Sequence, residues 1–140
     1  MRIGRFLSLI LLSCSLIFGA PVPKGYWNAL ESVVIKKDQV AVFDVNIDQK
    51  IYQLRFRWTL FVNDGLVMLY DYRGFKNQNI LYKGNPLDSF KIELREPKVS
   101  SGEKPFALLT FKDFNLTSKQ ATLEIGFRDS GRQMLITRKQ

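Results

Sequence analysis

The chain has 140 residues, with 21 lysines and arginines against 13 acids, one cysteine and no histidine. This excludes an intramolecular disulfide and removes both the commonest metal ligand and the usual proton shuttle near neutral pH, so zinc and Ser-His-Asp chemistry are excluded. The formal charge of +8 favours anionic neighbours such as phospholipid headgroups, anionic glycans or acidic protein faces, or serves only to keep the chain soluble.

The first element is the leader. Met1-Arg2-Ile3-Gly4-Arg5 precedes an apolar run over residues 6–18, which Gly19-Ala20 closes. A positive flank, a run shorter than the about 20 residues of a spanning helix, and small residues at its end read as an export signal over residues 1–20. Cleavage there releases residues 21–140 to the periplasm as one domain, long enough to bury a core without disulfides. Ile10-Leu11-Leu12-Ser13-Cys14 also resembles the lipobox of bacterial lipoproteins, which implies the alternative of a lipid anchor on Cys14. Nucleic acid is not an expected partner in that compartment.

Residues 26–37 carry two signals: Trp27, Leu30 and Val34 have helical spacing, whereas Val33-Val34-Ile35 favours a strand. The reading is a short helix or turn running into an edge strand. From Val40 onward apolar and polar residues alternate, which is the pattern of antiparallel strands with one wet face. Ala41, Phe43, Val45 and Ile47 are expected to face the core, with Asp44, Asn46 and Asp48 facing out.

Residues 51–73 read as a hairpin around Asn63-Asp64-Gly65. A three-residue loop with Gly65 in the left-handed conformation predicts that Val62 pairs with Leu66, Leu60 with Met68, Trp58 with Tyr70 and Phe56 with Tyr72, all on the core face. It puts Arg57 opposite Asp71 and leaves Phe61, Val67 and Leu69 facing outward. Further strands are predicted at residues 79–83, 89–95, 106–112, 120–128 and 132–138, with apolar residues on both faces of 106–111. The last two strands are expected to form a second hairpin about Ser130-Gly131, pairing Phe127 with Met134 and Asp129 with Arg132. The sum is an all-β protein: an antiparallel β-sandwich of about eight or nine strands with a short N-terminal helix, or alternatively a small closed barrel.

Four groups of residues are candidates for function. Asp113-Phe114-Asn115-Leu116-Thr117 contains an N-x-[ST] acceptor, and its acid two places before Asn115 makes it resemble the extended sequon of bacterial periplasmic N-glycosylation, which implies a glycan on Asn115. Arg55 and Arg57, with Lys50, Arg73 and Lys76 nearby, form a basic set able to hold an anionic partner. Phe61, Val67 and Leu69 form an apolar contact strip, either covered by another layer or open to a partner or an added strand. Trp58, Tyr70 and Tyr72 are candidates to hold an apolar or anionic small ligand between the sheets.

Carboxylate chemistry is poorly served. Asp44 and Asp48 on one strand face are about 13 Å apart, beyond glycosidase separations, and Glu93 and Glu96 fall on opposite faces. The expected function is therefore non-enzymatic and needs no cofactor: an accessory binding module whose partner is an envelope protein or an anionic envelope component, with peripheral membrane association. A small-ligand carrier or sensor is the alternative, and a carboxylate hydrolase the third reading.

Overall fold

Alternating apolar residues bury one side of each strand here, and two such sheets close over one another. The computed structural model of the protein describes residues 25–84, 86–94, 104–129 and 134–140. The leader with Cys14, the Ser130-Gly131 turn, Arg132 and Glu96 lie outside the described residues. Within them are nine strands: β1 (Ala29–Lys36), β2 (Ala41–Ile47), β3 (Lys50–Val62), β4 (Gly65–Tyr72), β5 (Phe75–Tyr82), β6 (Ser89–Glu93), β7 (Phe106–Asn115), β8 (Gln120–Arg128) and β9 (Met134–Lys139). They form a four-stranded sheet ordered β1-β8-β7-β6 and a five-stranded sheet ordered β5-β4-β3-β2-β9, with every pairing antiparallel. Among the described residues each sheet keeps two open edges, so the architecture is a β-sandwich and not a closed barrel.

Ala41, Phe43, Val45 and Ile47 of β2 are buried, as their alternation predicts. The core joins them to Leu54, Phe56 and Trp58 on β3 and to Ala121, Leu123, Ile125 and Phe127 across the interface on β8. Phe43 links the layers, stacked on Phe56 at 5.9 Å and tilted against Phe127 at 5.4 Å. Trp58 ties them with polarity as well: its Nε1 donates to the Ile35 carbonyl at 2.9 Å, from the five-stranded sheet to the edge strand of the other.

Residues 26–37 form no helix; Ala29–Lys36 is an edge strand paired with β8. The four-residue step from Leu30 to Val34 is even, so it fits one face of a strand as well as one face of a helix. Both side chains lie on the outer face while Val33 and Ile35 face the core. Trp27 instead folds over the outside of the four-stranded sheet. Its ring lies on Gly126, where a Cβ would come within 2.7 Å of the ring carbons, and edge-on to Phe106 at 6.0 Å. The Arg128 guanidinium sits 3.8 Å from the Tyr26 ring centroid and donates to the Tyr26 carbonyl, fastening this cover. Asn28 completes it, its N–H donating to Phe127 O at 2.8 Å and its Oδ1 accepting from Asp129 N at 2.7 Å.

The second hairpin does not form. β8 pairs with β1 and β7, whereas β9 crosses to the other sheet and pairs with β2, so Phe127 lies opposite Ala107 and Ala29, and Met134 opposite Ile47. Alternation shows which face of each strand is apolar, but not which strand it adjoins. Asp129, expected to close that hairpin, is buried beside Asn28.

Candidate functional site

The hairpin of β3 and β4 determines the most distinctive surface, and its register differs from the expected one. Asn63 and Asp64 both have positive φ, at 49° and 61°, forming a two-residue type I′ turn that pairs Val62 with Gly65. Both residue types tolerate the left-handed conformation, so the turn does not need Gly65, which becomes a strand residue instead. The ladder runs through Leu60 opposite Val67, then shifts between Leu60 and Trp58 so that Trp58 meets Met68 and Phe56 meets Tyr70. Thr59 is the extra residue of this bulge.

A bulge reverses the parity of everything beyond it. Trp58 faces the core, yet so does Phe61, which stacks on Phe114 at 3.9 Å and meets Phe111 edge-on at 6.3 Å. Phe61 is thus not part of an outward strip. Leu60 and Val62, expected inside, point out and are 49% and 50% exposed. Val67 and Leu69 do lie on the outer face, half-buried.

In register, Leu60, Val67 and Ile80 form one apolar row across three strands, and Val62, Gly65 and Tyr82 form the next. Ile80 and Tyr82 are 51% and 41% exposed. Gly65 makes room for Tyr82: a Cβ there would lie 3.0 Å from the tyrosine ring and 3.2 Å from Ile80 Cγ2. An apolar patch therefore covers the turn end of this face.

The patch passes into cations along the strands. Arg57 lies opposite Leu69, and one step on, Arg55, Asp71 and Lys76 share a row. Asp71 is thus the partner of Arg55 and Lys76 and not of Arg57. Arg55, Arg57 and Lys76, with Val40, Leu69 and Gln78, line an open groove of about 480 Å³, within the size range of small-ligand sites. Farther along, Asp44 is held by Lys139 at 2.9 Å and by Gln53 Nε2 at 3.2 Å. The Lys139 hydrogen bond keeps the Asp44 carboxyl below the usual aspartate range, with Gln53 assisting.

Arg73 does not join the groove. It occupies the β4–β5 turn at φ 56°, 4.4 Å from the Tyr52 ring centroid. With Tyr70, Tyr72, Lys91 and Glu93 it borders a separate cleft of about 360 Å³ at the sandwich edge. Lys50 opens β3 opposite Ile47, also away from the groove.

Of the aromatic residues considered for a ligand, Tyr70 and Tyr72 share the edge cleft, and Trp58 stands apart from it. Trp58 is buried at 3% exposure, and its ring packs edge-on to Phe114 at 5.4 Å. Tyr72 is buried, while Tyr70 stacks on Phe90 at 5.2 Å and accepts from Asn77 Nδ2 at 3.1 Å. Trp58 borders neither the groove nor the edge cleft.

Asn115 stands exposed at the end of β7, and the hairpin tip folds around it. Its Oδ1 accepts the N–H groups of Thr117 and Ser118, each at 2.9 Å. Asp113 is joined to Lys83 Nζ at 2.7 Å. That hydrogen bond, with a second from the Phe114 N–H, lowers the Asp113 carboxyl below its ordinary value. Of the other carboxylates, Asp48 lies in the β2–β3 turn at φ 51°, outside the strand that carries Asp44.

The residues that sequence reasoning missed are Leu60, Val62, Ile80 and Tyr82. A readable signal existed in Asn63-Asp64 as a two-residue turn; the bulge at Thr59 has none. In comparison with known protein families, curated proteins and solved structures, the chain matches no family model, no curated protein and no solved structure.

Proposed function

We propose that this protein is an exported accessory module of the bacterial envelope that works by binding through the outer face of its five-stranded sheet, without a chemical step. The observation that carries the reading is the composition of that face: four large apolar side chains in water, bordered by a groove with three cations. Exposed apolar patches rimmed by polar residues mark interaction sites. Export is supported by the positively flanked apolar run of residues 6–18 and by a chain whose one cysteine, Cys14, lies inside it. The hairpin tip at Asn115 is where such a module would carry a glycan, and mass spectrometry of the native protein reads that modification directly.

A photo-crosslinking amino acid placed in living cells tests the face. Substituted for Ile80 it should join the protein to an envelope component, whereas substituted for Val34 on the opposite sheet it should not. Equal products from both positions, or none from Ile80, would overturn the reading. Fractionation of the same cells should find the protein in the envelope or periplasm with residues 1–20 removed, or with Cys14 lipidated at its new amino terminus; an intact leader in the cytosol contradicts export.

A further inference from the structure

The composition of the face points beyond binding in general to one class of partner. We propose that the outer surface of the five-stranded sheet docks on an anionic phospholipid bilayer, with Leu60, Val62, Ile80 and Tyr82 entering the boundary between headgroups and acyl chains and Arg55, Arg57 and Lys76 meeting lipid phosphates. The inference rests on the proposed binding role of this face and names its partner.

Two features favour a bilayer. First, the chemistry is graded along the strands: apolar rows lie at the turn end and cationic rows follow, in the ladder register Leu60–Val67–Ile80, then Arg57–Leu69–Gln78, then Arg55–Asp71–Lys76. Outward residues on a strand are about 7 Å apart, so Arg57 stands one step and Arg55 and Lys76 two steps from the Leu60–Val67–Ile80 row, and an apolar end buried about 5–10 Å in the boundary leaves these cations at or above phosphate level. Aliphatic and tyrosine side chains at the boundary, next to lysine and arginine at phosphate level, are the pairing that peripheral membrane proteins use. Second, the charge fits an anionic surface. Asp71, the acid lining the groove, sits in register between two cations and is outnumbered by Arg55, Arg57 and Lys76. A second copy of the chain fits less well, because a symmetric contact would bring two sets of these three cations into one interface.

The test places a reporter on each side of the sandwich. In full-length chains carrying Cys14→Ser, a polarity-sensitive dye is attached after Val62→Cys on the proposed face or Val34→Cys on the opposite sheet; both valines are 50% exposed. Each is titrated with vesicles of phosphatidylcholine alone or mixed with phosphatidylglycerol. The dye at residue 62 should shift to the blue with the anionic vesicles, lose the shift in high salt, and respond at least about tenfold more weakly to phosphatidylcholine. The dye at residue 34 should not shift. Arg55→Glu with Arg57→Glu should raise the vesicle concentration needed by at least about tenfold; if that variant does not fold, the salt series on the unaltered face measures the same electrostatic contribution. Because leader and dye chemistry are common to both reporters, a shift at residue 62 alone belongs to the face.

No shift at residue 62, equal shifts at both positions, or indifference to phosphatidylglycerol would overturn the proposal. So would soluble short-chain phosphatidylglycerol acting as well as vesicles, which would indicate a carrier of single lipids. A protein crosslinked through residue 80 in cells, with vesicles inert, would leave the binding role standing and reject the membrane.

Discussion

Trp58→Phe isolates a polar tie between the sheets that lies within the core. Phenylalanine keeps most of the apolar area and can keep the edge-on contact with Phe114, but it removes the indole N–H that donates to the Ile35 carbonyl at 2.9 Å. Because Trp58 is only 3% exposed, water does not readily replace the donor, and losing one buried hydrogen bond costs about 0.5–1.5 kcal/mol. The space left by the smaller ring adds about 1 kcal/mol, giving an expected loss of about 1.5–2.5 kcal/mol, against about 3–5 kcal/mol for Trp58→Ala. Urea denaturation followed by circular dichroism should show the midpoint falling with an unchanged slope, which assigns the loss to the native state. Trp27 remains as the one tryptophan in the variant and reports the same transition by fluorescence. An unchanged midpoint would refute the claim that this hydrogen bond ties β1 to the opposite sheet.

Phe61→Ser should destabilise by at least about 1.5 kcal/mol through loss of the ring stack and its partial burial, whereas Leu60→Ser should stay within about 0.5 kcal/mol in the same denaturation assay; the reverse order would restore the register without a bulge. Gly126→Ala should push the Trp27 ring off the four-stranded sheet, read as a red shift in Trp27 fluorescence in the Trp58→Phe background with little change in far-ultraviolet circular dichroism. The Asp113 carboxyl should titrate below an ordinary aspartate by NMR and move back up in Lys83→Ala. Because its folded value is lowered, its contribution to stability is present above the unfolded aspartate pKa and lost as pH falls through the folded value, so the pH dependence of stability in that acidic window should shrink in Lys83→Ala.

How much of this was legible depended on whether a feature is local. The inward set on β2, the bounds of β8 at Gln120 and Arg128, and the sandwich class follow from period-two alternation, which any strand with one dry face must show. Pairing was illegible: β9 has the alternation of a hairpin partner for β8 yet crosses to β2, a choice made by sheet edges far apart in sequence. The helix expected near Trp27 failed because a spacing of four residues is common to a helix face and a strand face. The basic set was partly legible, since Arg55, Arg57 and Lys76 do converge, while Arg73 is drawn away by the turn at Gly74 and by the Tyr52 ring.

The unexpected hairpin register and the candidate face have one physical origin. Regular alternation after Trp58 would bury Leu60 and Val62 and expose Phe61; the extra residue at Thr59 reverses all three, and the Asn63-Asp64 turn frees Gly65 to admit the Tyr82 ring. Burying large aliphatic side chains completely would contribute about 1.5–3 kcal/mol each, so leaving Leu60, Val62 and Ile80 half exposed forgoes a substantial part of that stabilisation. A face left apolar in this way also invites copies to associate. The neighbouring cations oppose such association by like-charge repulsion and, in the proposed role, draw in an anionic surface, so a single arrangement of Arg55, Arg57 and Lys76 would serve both solubility and recognition. Neutralising these cations should therefore weaken partner binding and promote self-association together, whereas a face whose charges served solubility alone would show only the second effect.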